Sequence, residues 1–244
     1  MTLCFTHPKG RAFIHAVDPN DDPDETREFS LPERGEEQRQ GYVTCVAATP
    51  QIAVYGTATG YVRLVSALDR VMVGELLHPD GGIANVFPNA HGTRVVCVDD
   101  ENVVFLYDAR DERVLDVPQH ENNSSTSRGG ETNQNQVVLW DAFDPDVFLV
   151  ANGVTFSVYL YTPITIDGAS VQCVGTHDIS QTGSKPVSLI NGVVYWQAPS
   201  GSIDFATLVT HDPVNSTDDF FVNGAGTYVT AFPNPTALFY LSRW

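Results

Sequence analysis

The sequence predicts an all-β protein, a WD40-like β-propeller that is incomplete, with about four to five antiparallel, four-stranded blades. Three observations predict it. Short apolar runs are stopped repeatedly by Pro, Gly, Asn or Asp, the punctuation of an antiparallel meander. Four such runs fit into about forty residues, the length of one propeller blade. The plan then recurs along the chain, and no segment reads as a convincing amphipathic helix.

The clearest blade lies in residues 78–108, HPDGGIANVFPNAHGTRVVCVDDENVVFLYD. Ile83, Val86 and Phe87 begin an apolar run that Pro88-Asn89 stops. After Gly92-Thr93, residues 94–98 form a nearly continuous apolar strand. The acidic turn Asp99-Asp100-Glu101-Asn102 leads to a strand over 103–107, which Asp108 ends.

Taken in order, residues 3–5 and 11–17 read as strands around the turn His7-Pro8-Lys9-Gly10. The segment 18–24, DPNDDPD, holds four aspartates and two prolines and cannot be an interior strand. It reads as a solvated loop. Residues 25–32 (ETREFSLP) suit a short outer strand, and 33–40 are polar again. The next blade has strands over 43–49, 52–58, 61–66 and 71–77, with Thr59-Gly60 as a hairpin turn. Its third strand alternates, with Tyr61, Arg63 and Val65 on one face and Val62, Leu64 and Ser66 on the other.

The following blade has strands over 83–87, 93–98, 103–107 and 114–117. A polar insert at 119–136 has almost nothing to bury and is expected to be a disordered, mobile loop. Strands over 137–140, 148–152, 155–161 and 171–175 make a third unit, and those over 187–189, 193–197 and 203–209 begin a fourth. In the tail, residues 220–223, 228–232 and 238–241 could be strands around the rigid turn Pro233-Asn234-Pro235. The organisation is therefore a partial blade with an acidic loop (1–40), two blades (41–118), the insert (119–136), a further blade and a half (137–212) and a divergent tail (213–244).

The entry into each third strand checks the register. Val62, Val103, Phe156 and Ile203 mark it, at spacings of 41, 53 and 47. The longest spacing contains the polar insert; removing roughly a dozen residues restores the WD-type repeat of about forty. No unit closes its third strand with a Trp-Asp pair, and Leu106-Tyr107-Asp108 comes nearest.

Composition narrows the function. The 244 residues are 42% apolar and 18% charged, enough for a sizeable core. A net charge of -17 with 13 Lys and Arg speaks against nucleic acid and anionic membranes as partners. Residues 1–10 do not read as a signal peptide, and no apolar run approaches the roughly 18 residues of a membrane helix. Cys4, Cys45, Cys97 and Cys173 are far apart in strand-like runs, without a CxxC pair, and are expected to be buried reduced thiols of a cytoplasmic chain.

No catalytic, cofactor or metal site is expected. The histidines show no HxH or HxxxH spacing, and three of them, His7, His78 and His91, sit beside Pro or Gly at turns. Neither a GxSxG elbow nor a phosphate loop occurs. A propeller hydrolase would have to draw on Asp99, Asp100, Asp141, Asp144 and Asp146, with Asp99 and Asp144 as the pair to test. Aspartates at strand ends more ordinarily cap backbone amides. Trp140 and Phe143, in VVLWDAFDPDVF, are the candidate partner-binding residues, with inter-blade packing as the alternative role.

Several stretches carry a resemblance: YGTATG at 55–60, His78-Pro79, FPNAHGTRVV at 87–96, VLWDAFDPDVF at 138–148 and TIDGA at 165–169. Through them the chain resembles the WD-repeat protein nineteen family, the large WD-repeat subunit of intraflagellar transport complex A, and specifically the latter part of its second propeller. The similarity extends from near residue 1 to about residue 212, with ETREFSLP as a weaker match. The insert at 119–136 and the tail after Asp212 depart from the family pattern, which continues into a helical solenoid. The chain is accordingly expected to be a fragment, a truncated gene model or a divergent gene product. The resemblance implies a non-enzymatic scaffold at the cilium or flagellum, its base and the cytoplasm, acting in retrograde transport and cilium assembly. Its implied partners are other subunits of that complex and ciliary cargo proteins, without direct membrane insertion. A non-ciliary coat or tethering scaffold is the further alternative.

Overall fold

The computed structural model describes residues 2–7, 11–17, 26–32, 39, 41–118, 136–153, 155–165, 168–179, 185–208 and 221–224. The acidic run 18–24 and most of the insert, 119–135, lie outside the described residues. The chain divides into two compact units, Met1–Gln119 and His120–Trp244.

The described residues of the first unit form three antiparallel sheets. β1 (Thr2–His7), β2 (Arg11–Val17) and β3 (Thr26–Leu31) pair in chain order. β4 (Val43–Ala48), β5 (Ile52–Thr57), β6 (Tyr61–Ser66) and β7 (Met72–Leu77) form the second sheet. β8 (Ile83–Pro88), β9 (Arg94–Asp99), β10 (Val104–Asp108) and β11 (Arg113–Asp116) form the third. Each four-stranded sheet is a simple meander, so every strand pairs with its neighbour in sequence.

These sheets face one another, which explains the composition of their middle strands. β9 and β10 are buried at every residue, and β5 at every residue after Ile52. A strand covered on both faces reads as a continuous apolar run rather than as alternation. One cluster joins Cys45, Val54, Val62 and Leu64 of the second sheet to Ile83, Val86, Val95, Cys97, Phe105 and Tyr107 of the third. Another joins Ala12, Ile14 and Leu31 to Val43, Ala53, Tyr55 and Val65. Each such aliphatic side chain contributes about 1.5–3 kcal/mol by leaving water.

At Gly56 the second sheet packs closely against the third. A Cβ there would lie 2.5 Å from Ile83 Cγ2 and 2.7 Å from Cys45 Sγ. Gly60, at φ +89°, turns the chain between β5 and β6, and a Cβ would meet the His78 carbonyl oxygen at 2.4 Å. Both glycines belong to the YGTATG stretch.

The described residues of the second unit form two sheets. β12 (Val137–Trp140), β13 (Val147–Ala151), β14 (Thr155–Thr165) and β15 (Gly168–Asp178) form one. β16 (Lys185–Ile190), β17 (Val193–Gln197), β18 (Ile203–Leu208) and β19 (Phe221–Gly224) form the other. Their shared core contains Leu149, Ala151, Phe156, Val158, Ile179, Leu189, Val194 and Trp196. In the tail, Phe221–Gly224 pairs with β18 as the fourth strand of its sheet.

The structure departs from the expected elements in four places. The first apolar run of the third sheet does not stop before Pro88, which pairs with Val95. β8 is an edge strand, where the missing N–H of proline costs no ladder bond. Val103 is 47% exposed and precedes β10, while Asp108 continues that strand opposite Arg94. β6 is not half-exposed: Arg63 is 3% exposed, its guanidinium paired with Glu75 and lying 4.9 Å from the Tyr61 ring centroid. Finally, β14 and β15 each run for 11 residues as a long hairpin, with register shifts at Val158/Tyr159 and Thr162/Thr165. The sequence reading ends the first of these strands at residue 161 and places the second over 171–175.

Candidate interaction surface

The side chains singled out as a partner site sit where β12 gives way to β13. Asp141 begins this loop, is 3% exposed, and organises it. Its Oδ1 accepts the backbone N–H groups of Phe143 (2.8 Å), Asp144 (3.1 Å) and Asn191 (3.1 Å). Its Oδ2 accepts the N–H of Gly192 at 2.7 Å. The Ala142 N–H adds a bond to the Leu189 carbonyl at 3.0 Å. One carboxylate therefore shapes its own loop and binds it to the β16–β17 turn of the adjacent sheet. An ionised carboxylate suits this work because it offers only acceptors, with about four lone-pair sites.

Further bonds complete the loop. Asp144 Oδ1 accepts the Asp146 N–H at 2.9 Å, and the Asp146 carbonyl accepts the Tyr161 N–H at 2.8 Å. Phe143 projects from this braced loop with 55% of its surface exposed. Trp140 behaves differently. It is half-buried, with its ring 5.0 Å from that of Phe148, which stacks in turn on Tyr159 at 5.3 Å. The two candidates thus separate: Trp140 packs onto the core and Phe143 faces solvent.

The first unit has its own carboxylate-centred corner. Asp99 Oδ1 accepts the N–H groups of Glu101 (2.9 Å) and Val103 (2.7 Å), and Oδ2 lies 3.3 Å from His78 Nε2. The His78 ring stacks on Phe105 at 4.6 Å. Asp100 Oδ2 accepts the Gly82 N–H at 3.1 Å. His78 and Gly82 lie on the connection between β7 and β8, so Asp99 and Asp100 fasten that connection to the turn after β9. Asp99, Asp100, Asp141 and Asp144 all accept backbone amides. Asp99 and Asp144, the pair considered for hydrolysis, belong to different compact units.

Two of the buried polar groupings that went unread in the sequence centre on Arg94 and Asp141. Arg94 Nε lies 3.3 Å from Asp108 Oδ2, with both residues buried. The other is the reach of Asp141 to Gly192. The pattern Asp141-Ala142-Phe143-Asp144 does signal a side-chain-capped turn, but its long-range half has no local signature.

Cys45 and Cys97 are buried free thiols, and Cys173 is half-buried rather than buried as expected. Burial pushes the Cys45 thiol up to about 11 and the Cys97 thiol well above its ordinary value. Such thiols carry little thiolate near neutral pH and are poor nucleophiles. Among the described residues, no three His, Cys, Asp or Glu side chains cluster so as to hold a metal ion. No helix among them is long and apolar enough to cross a membrane.

Repeated antiparallel four-stranded sheets, joined by buried polar corners, define a WD40-like β-propeller. Two solved structures match the fold at a TM-score of 0.50. BamB from Moraxella catarrhalis is 14% identical, with 86% of this chain and 59% of that chain covered. KlHsv2 with loop 6CD replaced by a Gly-Ser linker is 9% identical, with 72% and 58% covered. Residues 2–211 match the family model described as the WDR19 second beta-propeller, and the chain belongs to that family. It is 29% identical over 179 residues to WD repeat-containing protein 19 of Mus musculus, and 28% identical over 179 residues to that of Homo sapiens. In both comparisons 72% of this chain is matched, and the chain spans 12% of the length of those relatives.

Proposed function

We propose that the protein is a non-enzymatic protein–protein interaction scaffold of intraflagellar transport complex A, acting in retrograde ciliary transport and cilium assembly. The observation that carries this reading is the match of residues 2–211 to the WDR19 second beta-propeller. Its partners are other subunits of that complex and ciliary cargo proteins, and it works at the cilium or flagellum, its base and the surrounding cytoplasm. Asp99, Asp100, Asp141 and Asp144 support a structural role, because each accepts a backbone amide.

In this reading Phe143 is a contact residue and Trp140 supports it by fixing the strand end from which the loop departs. An exposed aromatic on a pre-organised loop loses little freedom on binding and buries a large apolar area, the usual profile of an interface hot spot. The test is affinity purification of the tagged protein from ciliated cells, with imaging of its location. Recovery of complex A subunits and signal at the ciliary base are expected. A protein that recovers none of them, or stays away from cilia, overturns the proposal.

A further inference from the structure

The outer edge of β7 differs from those of β11 and β15, the other outer strands whose side chains are described in full or nearly so. β11 exposes Arg113, Val114 and Asp116, and β15 exposes Gln172 and Asp178. Charged and polar groups of this kind keep an edge from pairing with other chains. β7 and the residue before it instead expose Val71 (58%), Met72 (51%), Val73 (49%) and Leu77 (54%). The one charged residue within the strand, Glu75, is paired with Arg63.

The main chain there is also open. His78 N–H donates to the Gly60 carbonyl at 2.9 Å, which fixes that pair as hydrogen-bonded. Pairs alternate along an antiparallel ladder. With Tyr61 opposite Leu77 and Arg63 opposite Glu75, residues 75 and 77 turn their backbone groups away from β6. The Tyr107 hydroxyl donates to the Glu75 carbonyl at 3.1 Å. Among the described residues, the N–H groups of Glu75 and Leu77 and the carbonyl of Leu77 then remain unpaired. The register shift at Leu64/Val65 limits the regular edge to the last few residues of β7.

We propose that this edge docks an extended, basic segment of another protein as an added fifth strand. Strand addition draws affinity from main-chain bonds and specificity from alternate side chains. Here the apolar contacts come from Met72 and Leu77. Charge selects the occupant: exposed Asp69 and Asp80 bracket the strand, Arg70 is the base beside it, and the chain carries -17 overall. A second copy would bring the same excess of negative charge, whereas a lysine-bearing segment reduces it. The surface does not depend on which complex the chain joins.

The test uses the full chain and a labelled hexapeptide of alternating lysine and valine. Fluorescence anisotropy should show saturable binding that falls at least about tenfold in Leu77→Lys, and likewise in Met72→Lys, with the melting curve of each variant confirming its fold. The glutamate–valine counterpart should not bind. Hydrogen exchange at the Glu75 and Leu77 amides should slow only with the lysine–valine peptide. No saturable binding, or binding indifferent to both substitutions, overturns the proposal. Protection of those amides in the free chain overturns it in favour of a segment of the same molecule. Dimerisation abolished by Leu77→Lys overturns it in favour of a second copy.

Discussion

Asp141 and Gly192 are bonded at 2.7 Å although 51 residues separate them. The same carboxylate also holds the N–H groups of Phe143, Asp144 and Asn191. Removing it strands several amides at a buried position. Asp141→Ala is expected to cost about 3–5 kcal/mol, in the range for a broken buried polar network. Denaturant unfolding measures the loss, and hydrogen exchange should report it first at the Asn191 and Gly192 amides.

Phe143 and Trp140 should respond in opposite ways. Phe143→Ala removes an exposed ring and should change stability by less than about 0.5 kcal/mol. Under the proposed function it should weaken capture of complex A subunits about tenfold or more. Trp140→Ala empties a packed position and should cost about 2–3 kcal/mol. Thermal melts beside quantitative affinity purification separate the two roles. A Phe143→Ala protein that captures its partners normally would remove this residue from the interface.

Gly56 should not tolerate alanine. Its Cβ would press on Ile83 and Cys45, both in the core. Overpacking of this kind costs about 1–3 kcal/mol. Because Ile83 Cγ2 is the nearer obstacle, Ile83→Ala should relieve part of the strain, giving a coupling of about 1 kcal/mol in a double-mutant cycle.

His177 gives the second unit a pH dependence. Its ring lies 5.1 Å from Phe156 and 5.4 Å from Trp196. Burial lowers its pKa from the ordinary 6.5, while the charge of Asp178 opposes that shift. The unfolded chain therefore binds the proton more readily. The contribution of His177 to stability is full above about pH 6.5 and is lost as pH falls toward the depressed folded value. The difference in denaturation midpoint between wild type and His177→Gln should be flat above that pH and change below it.

The strands that were legible were those bounded by decisive turns. Tyr61–Ser66 and Val193–Gln197 lie as expected, because Gly60 and Asn191-Gly192 leave the chain few other places to reverse. The long β14–β15 hairpin was less visible, since Pro163 and Gly168 ordinarily mark a stop and here lie in an extended ribbon. Arg63 shares a face of its alternating strand with Tyr61 and Val65, and nothing in that pattern says the face is covered. Its neutralising partner comes from the next strand, Glu75, which no local pattern announces. Asp141 was half legible: the turn it caps is local, but its contact with Gly192 depends on two sheets meeting.

That contact also has a schedule. At about 5–20 residues per second, translation supplies Gly192 roughly 3–10 s after Asp141. Throughout that interval the nascent carboxylate can cap its own loop but cannot reach the later turn. Until Leu189, Val194 and Trp196 follow, the residues of β12–β15 that pack against them have no cover.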